Sequence, residues 1–218
     1  RAKAFHQFLI SKNKIKRNCE KLGEFLKISE ADIVMLQEVD FNAVWTNYQN
    51  QRYLINPLDH YPFAYDGKNN QPNQWVKLDY GNSILSQHEL LEHQNCPFDD
   101  SRIGGKGFQI ANLKWKNKSL SIINIHLHPF SNKTRAIQLK MLYDTLKVIS
   151  NPIVVGGDFN MTIENPLLQE FIKSLHLLAP LNETPTFQFM YLKKKIDFIF
   201  GSPEIQWLHT KVIDSNLS

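Results

Sequence analysis

Three apolar runs in this 218-residue chain stop on side chains that do chemistry, and this constrains the fold more than any other feature. Ile33-Val34-Met35-Leu36 leads into Gln37-Glu38, Ile122 to Ile125 into His126, and Ile153-Val154-Val155 through Gly156-Gly157 into Asp158-Phe159-Asn160. A short, continuous aliphatic run is the pattern of a strand covered on both faces. A buried interior rejects charge, so carboxylates and imidazoles collect where strands leave it, and strand ends of α/β sheets are where ligands bind. A fourth run, Ile196-Asp197-Phe198-Ile199-Phe200, carries an aspartate near its entrance. Any one of these residues reads most simply as a cap or turn; the series points to one shared crevice.

Between the runs the pattern alternates. Ile15, Cys19, Leu22 and Leu26 recur at helical spacing from Lys14 to Ile28, with lysines on the other side. A second helix is expected over Lys133 to Ile149, with Ile137, Met141, Leu142, Leu146 and Ile149 as its apolar stripe. A third spans Pro166 to Leu175, with Asn165 as N-cap and Pro166 at the first position. Further strands are expected at Ser83 to Ser86, Phe108 to Lys114, Ser119 to Ile125 and Lys211 to Ile213, and Lys114 to Lys118 reads as a hairpin tip. The fold class is therefore α/β with part of the sheet antiparallel. Asn47 to Gln74, rich in Asn and Gln, reads as loop with short ordered pieces.

Composition removes several classes. Hydrophobic residues are 42% and charged residues 21%, so a core is affordable and disorder is not expected. No apolar run reaches the roughly 20 residues of a membrane span. The net charge of +4 is too mild to argue for nucleic acid on its own, and the basic clusters, Lys12 to Arg17 and Lys193 to Lys195, are short and far apart. Two distant cysteines, Cys19 and Cys96, exclude a disulfide scaffold or a CxxC site and favour a reducing, cytoplasmic compartment for a soluble chain.

The candidate residues choose the chemistry. Glu38, Asp158, Asn160 and Asp197 are hard oxygen donors suited to Mg2+ or Mn2+, and no His-Glu-x-x-His or Cys/His pairing offers a zinc site. Gly105-Lys106-Gly107 lacks the rest of a phosphate-cradling P-loop. Gly81-Asn82-Ser83-Ile84-Leu85 lacks the second glycine of a nucleophile elbow. Gly156-Gly157 before Asp158 is expected to let backbone and substrate approach closely.

Leu36-Gln37-Glu38-Val39, Gly81 to Ser86, Asn124-Ile125-His126-Leu127, Gly157-Asp158-Phe159-Asn160 and Ile196 to Phe200, in this order, resemble the endonuclease/exonuclease/phosphatase superfamily of DNase I-like, metal-dependent phosphohydrolases. The resemblance spans about Asp32 to Gly201. It implies a four-layer sandwich, two mixed β-sheets face to face with helices outside, and hydrolysis of a phosphate ester at one end. It also implies roles. Glu38 would ligate Mg2+ or Mn2+ with Gln37 in support, and Asp158 would orient or deprotonate the attacking water. Asn160 would hold the phosphate or that water, His126 would contact the scissile phosphate, and Asp197 would orient a histidine near the C-terminus. Asn82 would lie beside the substrate.

Members of that superfamily begin with a strand ending in an active-site Asn and finish with Ser-Asp-His; neither is found between Arg1 and Ser218. The expectation is one domain over residues 1–218 lacking its first strand and its C-terminal Asp-His segment, with a signal peptide ahead of Arg1 left open. A non-catalytic binding module on the same fold is the rival to an enzyme. The expected partner is a phosphate-ester substrate, a lipid headgroup, sugar phosphate or nucleic acid, with no stable protein partner. An aromatic, non-basic insert between Asp40 and Gly81, with Trp45, Phe63, Tyr65 and Trp75, leans the choice toward a lipid-type or small phosphoester over long duplex DNA. Lys193 to Lys195 read as a solvated loop, and Arg135 as a structural ion pair.

Overall fold

The computed structural model describes residues 11–43, 48–56, 60–69, 79–98, 105–115 and 117–213, the side chain of Phe189 excepted. Ser11 caps the first helix, its hydroxyl accepting from the Lys14 amide, and α1 runs Lys12–Ser29 with Ile15, Cys19 and Leu26 buried. It ends where Glu30 takes a left-handed conformation and donates back to the Lys27 carbonyl. There follow β1 (Ile33–Asp40), a short α2 (Gln51–Ile55), β2 (Phe63–Lys68), β3 (Tyr80–Ser86), β4 (Leu90–Pro97), β5 (Gly107–Trp115) and β6 (Lys118–His126). Then come α3 (Asn132–Leu146), β7 (Ile153–Asp158), α4 (Pro166–Ser174), β8 (Phe187–Phe189), β9 (Leu192–Lys194) and β10 (Asp197–Gly201).

The strands form two main sheets, ordered β1-β3-β2 and β10-β7-β6-β5-β4, with β8-β9 apart as a hairpin. Ile84, Ala111, Leu113 and Ile122 pack between the sheets, with Met35 and Val154 against them. Val34, Leu85 and Tyr61 face α1 and α2 on one outer side. Ile123, Ile125 and Val155 meet Leu139, Leu142, Leu146, Leu168 and Phe171 of α3 and α4 on the other. These are the four layers expected. The mixed sense lies in the larger sheet, where β6 and β7 run parallel; the described strands of the smaller one are antiparallel throughout.

Some expectations need correction. Ile137 and Met141 point to solvent, and the buried stripe of α3 is Arg135, Gln138, Leu139, Leu142 and Leu146. Two polar residues lie on it because they serve the preceding loop: Gln138 Oε1 accepts from the His128 amide over 2.9 Å, and Arg135 donates to the His128 and Pro129 carbonyls. Arg135 thus binds carbonyls instead of forming the expected ion pair. Lys211 to Ile213 is not a strand. The missed strands β2, β4 and β9 have mostly exposed or half-buried side chains, and such strands carry no apolar run to read; Lys193 and Lys194, expected in a loop, are exposed on β9. Trp45 and Trp75 lie outside the described residues; Phe63 is exposed on β2, and Tyr65 rests on the ring of His93, centroids 4.1 Å apart. None of the described helices is long and apolar enough to cross a membrane.

Candidate active site

The larger sheet brings its polar exits to one rung. His126 and Asp158 close the parallel strands β6 and β7 in register. Asp197 opens β10 opposite Asp158, and Gly107 opens β5 opposite His126. Glu38 arrives from the other sheet. Leu36 pairs with Ser83 and Val39 with Gly81, so Gln37 and Glu38 together stand against the single Asn82 in a β-bulge. Bulges bend a strand and re-aim side chains, and here Glu38 pays for it with a left-handed φ of 60°.

Glu38 Oε1 lies 3.7 Å from His126 Nε2, which lies 3.2 Å from Asp158 Oδ2. Asn160, also left-handed at φ 52°, folds back onto Asp158. Its amide donates to Asp158 Oδ1 over 2.9 Å, and its Nδ2 donates to Asp158 Oδ2 and to the Leu127 carbonyl. His126 and Asp158 are buried, whereas the Glu38 side chain is 36% exposed. Burial holds His126 below the ordinary imidazole range; the Lys106 charge adds to that, against the pull of Asp158 and Glu38.

Lys106 was missed. Its buried ammonium lies 3.4 Å from Glu38 Oε1 and 3.5 Å from His126 Nδ1. The chain is no P-loop there, yet the lysine enters the site because it precedes β5. Counting back across the hairpin, from Trp115 opposite Lys118 to Gly107 opposite His126, would have found it.

Beneath these groups lies a buried polar floor. Gln37 Nε2 donates to Asn124 Oδ1 over 2.7 Å and to the Met35 carbonyl. Asn82, expected beside the substrate, is fully buried and donates to the carbonyls of Gly107 and Asn124, so as placed it supports the floor and does not face solvent. Asp197 lines a cavity of about 310 Å³ with Gln37, Asn182 and Lys195. Its amide and that of Ile196 donate to Thr186 Oγ1. The two glycines are filled by protein: a Cβ on Gly156 would meet the Met35 methyl, and one on Gly157 the Ile125 carbonyl, so the close approach is between strands and layers.

Among the described residues no three His, Cys, Asp or Glu side chains form a metal cage. Mg2+ seldom needs one; it keeps several waters and binds through one or two carboxylates plus substrate phosphate oxygens. A single partly exposed carboxylate at the mouth of the site, Glu38, fits that mode.

Solved structures with the same fold include an endonuclease/exonuclease/phosphatase family protein from Leptotrichia buccalis C-1013-b, with a TM-score of 0.68, 15% identity, and 90% of this chain and 85% of that chain covered. A humanized D. rerio TDP2 has a TM-score of 0.65 and 15% identity, covering 91% of this chain and 82% of that one. A Staphylococcus aureus beta toxin mutant with bound magnesium ions has a TM-score of 0.64 and 19% identity, covering 89% and 78%. At such identities the likeness concerns fold alone.

Among curated proteins, the human "A disintegrin and metalloproteinase with thrombospondin motifs 6" is 27% identical over 125 residues, 55% of this chain and 10% of that protein. The chain thus spans about a tenth of that relative's length. A helical zinc motif does not accompany the match: in His88-Glu89-Leu90-Leu91-Glu92-His93 the second histidine comes one place late, and Leu90 to His93 lie on β4. A sequence model of the Endonuclease/Exonuclease/phosphatase family matches residues 16–210, and with nearly its whole length accounted for, the chain belongs to that family, whose members are hydrolases acting on phosphate esters.

Proposed function

We propose that this protein hydrolyses a phosphate ester by in-line attack of water, in a divalent-cation-dependent reaction, at the site formed by Glu38, Lys106, His126, Asp158 and Asn160. The observation that carries the reading is the convergence of a carboxylate, a buried lysine and a buried His–Asp pair within 3.7 Å steps at the exits of strands from both sheets. Structural residues rarely concentrate buried charge in this way.

Asp158 takes a proton from the attacking water as the water oxygen bonds to phosphorus and the bond to the leaving oxygen breaks, that oxygen taking a proton from solvent to depart as an alcohol. Asn160 fixes the Asp158 carboxylate, its amide donating to one oxygen and its Nδ2 to the other. Cationic Lys106 contacts the phosphoryl oxygens, where negative charge builds in the transition state, and neutral His126, its Nε2 donating to Asp158 and its Nδ1 accepting from Lys106, holds those two groups beside the phosphate. Glu38 would hold Mg2+ or Mn2+, with Gln37 in support; the ion supplies positive charge against the phosphoryl oxygens and lowers the pKa of bound water. Asp197, across from Asp158, is a positioning residue of the same rim.

The test is turnover of bis(p-nitrophenyl) phosphate by the purified protein. Turnover that requires Mg2+ or Mn2+ and vanishes in Asp158→Asn is expected. Full turnover in EDTA, or none under any metal condition while a phosphate ester still binds, would favour the binding-module reading or a different chemistry.

A further inference from the structure

The rim of this site carries apolar side chains that no core uses. The β8–β9 hairpin belongs to neither main sheet. At its turn Met190 is 72% exposed and Tyr191 98%, and Leu192 beside them is half exposed. The next two residues, Lys193 and Lys194, are exposed on β9.

The hairpin is pinned to the site. The Thr186 amide donates to the Lys194 carbonyl over 3.0 Å, closing its base, and Thr186 Oγ1 accepts from Asp197, which pairs with Asp158. At the same end of the larger sheet, Phe130 is 90% exposed four residues beyond His126. Its loop is held by the Phe130 amide donating to His128 Nδ1 and by Arg135 donating to two loop carbonyls.

Single exposed apolar residues are ordinary, but several grouped on pinned loops around one site mark an interaction surface. Here an apolar tip is followed directly by two lysines. That order suits a lipid–water interface, where Met, Leu and the tyrosine ring enter the acyl boundary and the ammonium groups meet anionic headgroups. A nucleic acid could stack on Tyr191 and Phe130 but would also ask for a continuous basic groove, whereas the basic clusters, Lys12 to Arg17 and Lys193 to Lys195, are short and far apart and Met190 and Leu192 offer no ring.

We propose that the 187–194 hairpin, with Phe130, docks the active-site end on an anionic lipid surface. Docking itself needs no chemistry; the corollary, that the substrate is a lipid-borne phosphoester presented to His126 and Asp158, rests on the hydrolytic reading above.

Co-sedimentation of the full chain with phosphatidylcholine vesicles, with and without phosphatidylserine, tests it. Binding to the anionic vesicles that weakens with salt is expected, falling about tenfold or more in Met190→Ser/Tyr191→Ser and in Lys193→Glu/Lys194→Glu. Both variants should keep wild-type thermal unfolding and turnover of soluble bis(p-nitrophenyl) phosphate. No vesicle binding, or binding that both double variants leave intact, would overturn the proposal. So would Lys193→Glu/Lys194→Glu weakening binding to a single-stranded oligonucleotide while sparing vesicles. Vesicle binding that persists in a protein inactive on every phosphate ester would support docking and sink the hydrolytic reading alone.

Discussion

Gln37 and Asn124 join the two sheets directly beneath the site, the Gln37 amide donating to Asn124 Oδ1 over 2.7 Å. The Asn124 Nδ2 in turn faces three acceptors: the carbonyls of Leu36 and Ser83 and Gln109 Oε1, at 3.0 to 3.2 Å. One buried amide thus holds the start of the β1 bulge that aims Glu38. In Asn124→Leu these buried acceptors lose their donor while the side-chain volume is kept. The expected cost is about 2–4 kcal/mol in urea unfolding, with turnover reduced further than stability accounts for. A loss below about 1 kcal/mol would show that the floor is not what holds the bulge.

The paired glycines should differ. Gly157 has a φ of 136°, and a Cβ there would lie 2.1 Å from the Ile125 carbonyl oxygen, a backbone atom that cannot yield. At Gly156 the obstruction is the Met35 terminal methyl at 2.4 Å, the free end of a flexible side chain. Gly157→Ala should lose about 3 kcal/mol or more, or fail to fold, and Gly156→Ala about 1 kcal/mol. Equal losses by thermal unfolding would contradict this geometry.

Glu38 and Asp158 should fail in different ways. Asp158→Asn is expected to lower kcat by about 10³ with the metal requirement unchanged. Glu38→Gln should shift the Mg2+ concentration needed for half activity upward by about tenfold or more, with activity recovered at high metal. Metal titrations of both variants with bis(p-nitrophenyl) phosphate decide this, and identical metal curves would remove Glu38 from the metal.

Lys106→Met should cost about 10²-fold in kcat/KM, since a preorganised cationic donor at a developing oxyanion is worth that much. Lys106→Arg should recover part of the loss. If Lys106 only neutralised Glu38 for folding, Lys106→Met would unfold more readily and leave kcat/KM of the folded protein unchanged.

His126 makes stability fall with acid. Its folded-state pKa lies below the ordinary value of 6.5 because burial disfavours the imidazolium. As pH drops through about 6.5 the unfolded chain binds a proton that the folded one does not, so the stability present above that pH is lost progressively until the depressed pKa is reached. Urea unfolding in EDTA at about pH 5 and about pH 7.5 should show this drop, and His126→Gln should flatten the part of the profile due to this group.

Local chemistry in the sequence determined much of this protein. The aliphatic runs before Glu38, His126 and Asp158 declare strands because only a doubly covered strand tolerates them, and charge at their ends follows from what a core excludes. Asn165 announces a helix start by the bond its side chain makes to a backbone amide. What only the tertiary structure decided depends on partners far apart in the chain. Lys106 meets Glu38 across 68 positions, and Gln37 meets Asn124 across 87. No local periodicity encodes such pairings. The bulge that turns Glu38 inward is a register shift between β1 and β3 and exists only once both strands pair. Likewise the burial of Arg135 and Gln138 in place of Ile137 and Met141 follows from the loop that α3 must hold, whose His128 amide and His128 and Pro129 carbonyls all take their bonds from those two side chains.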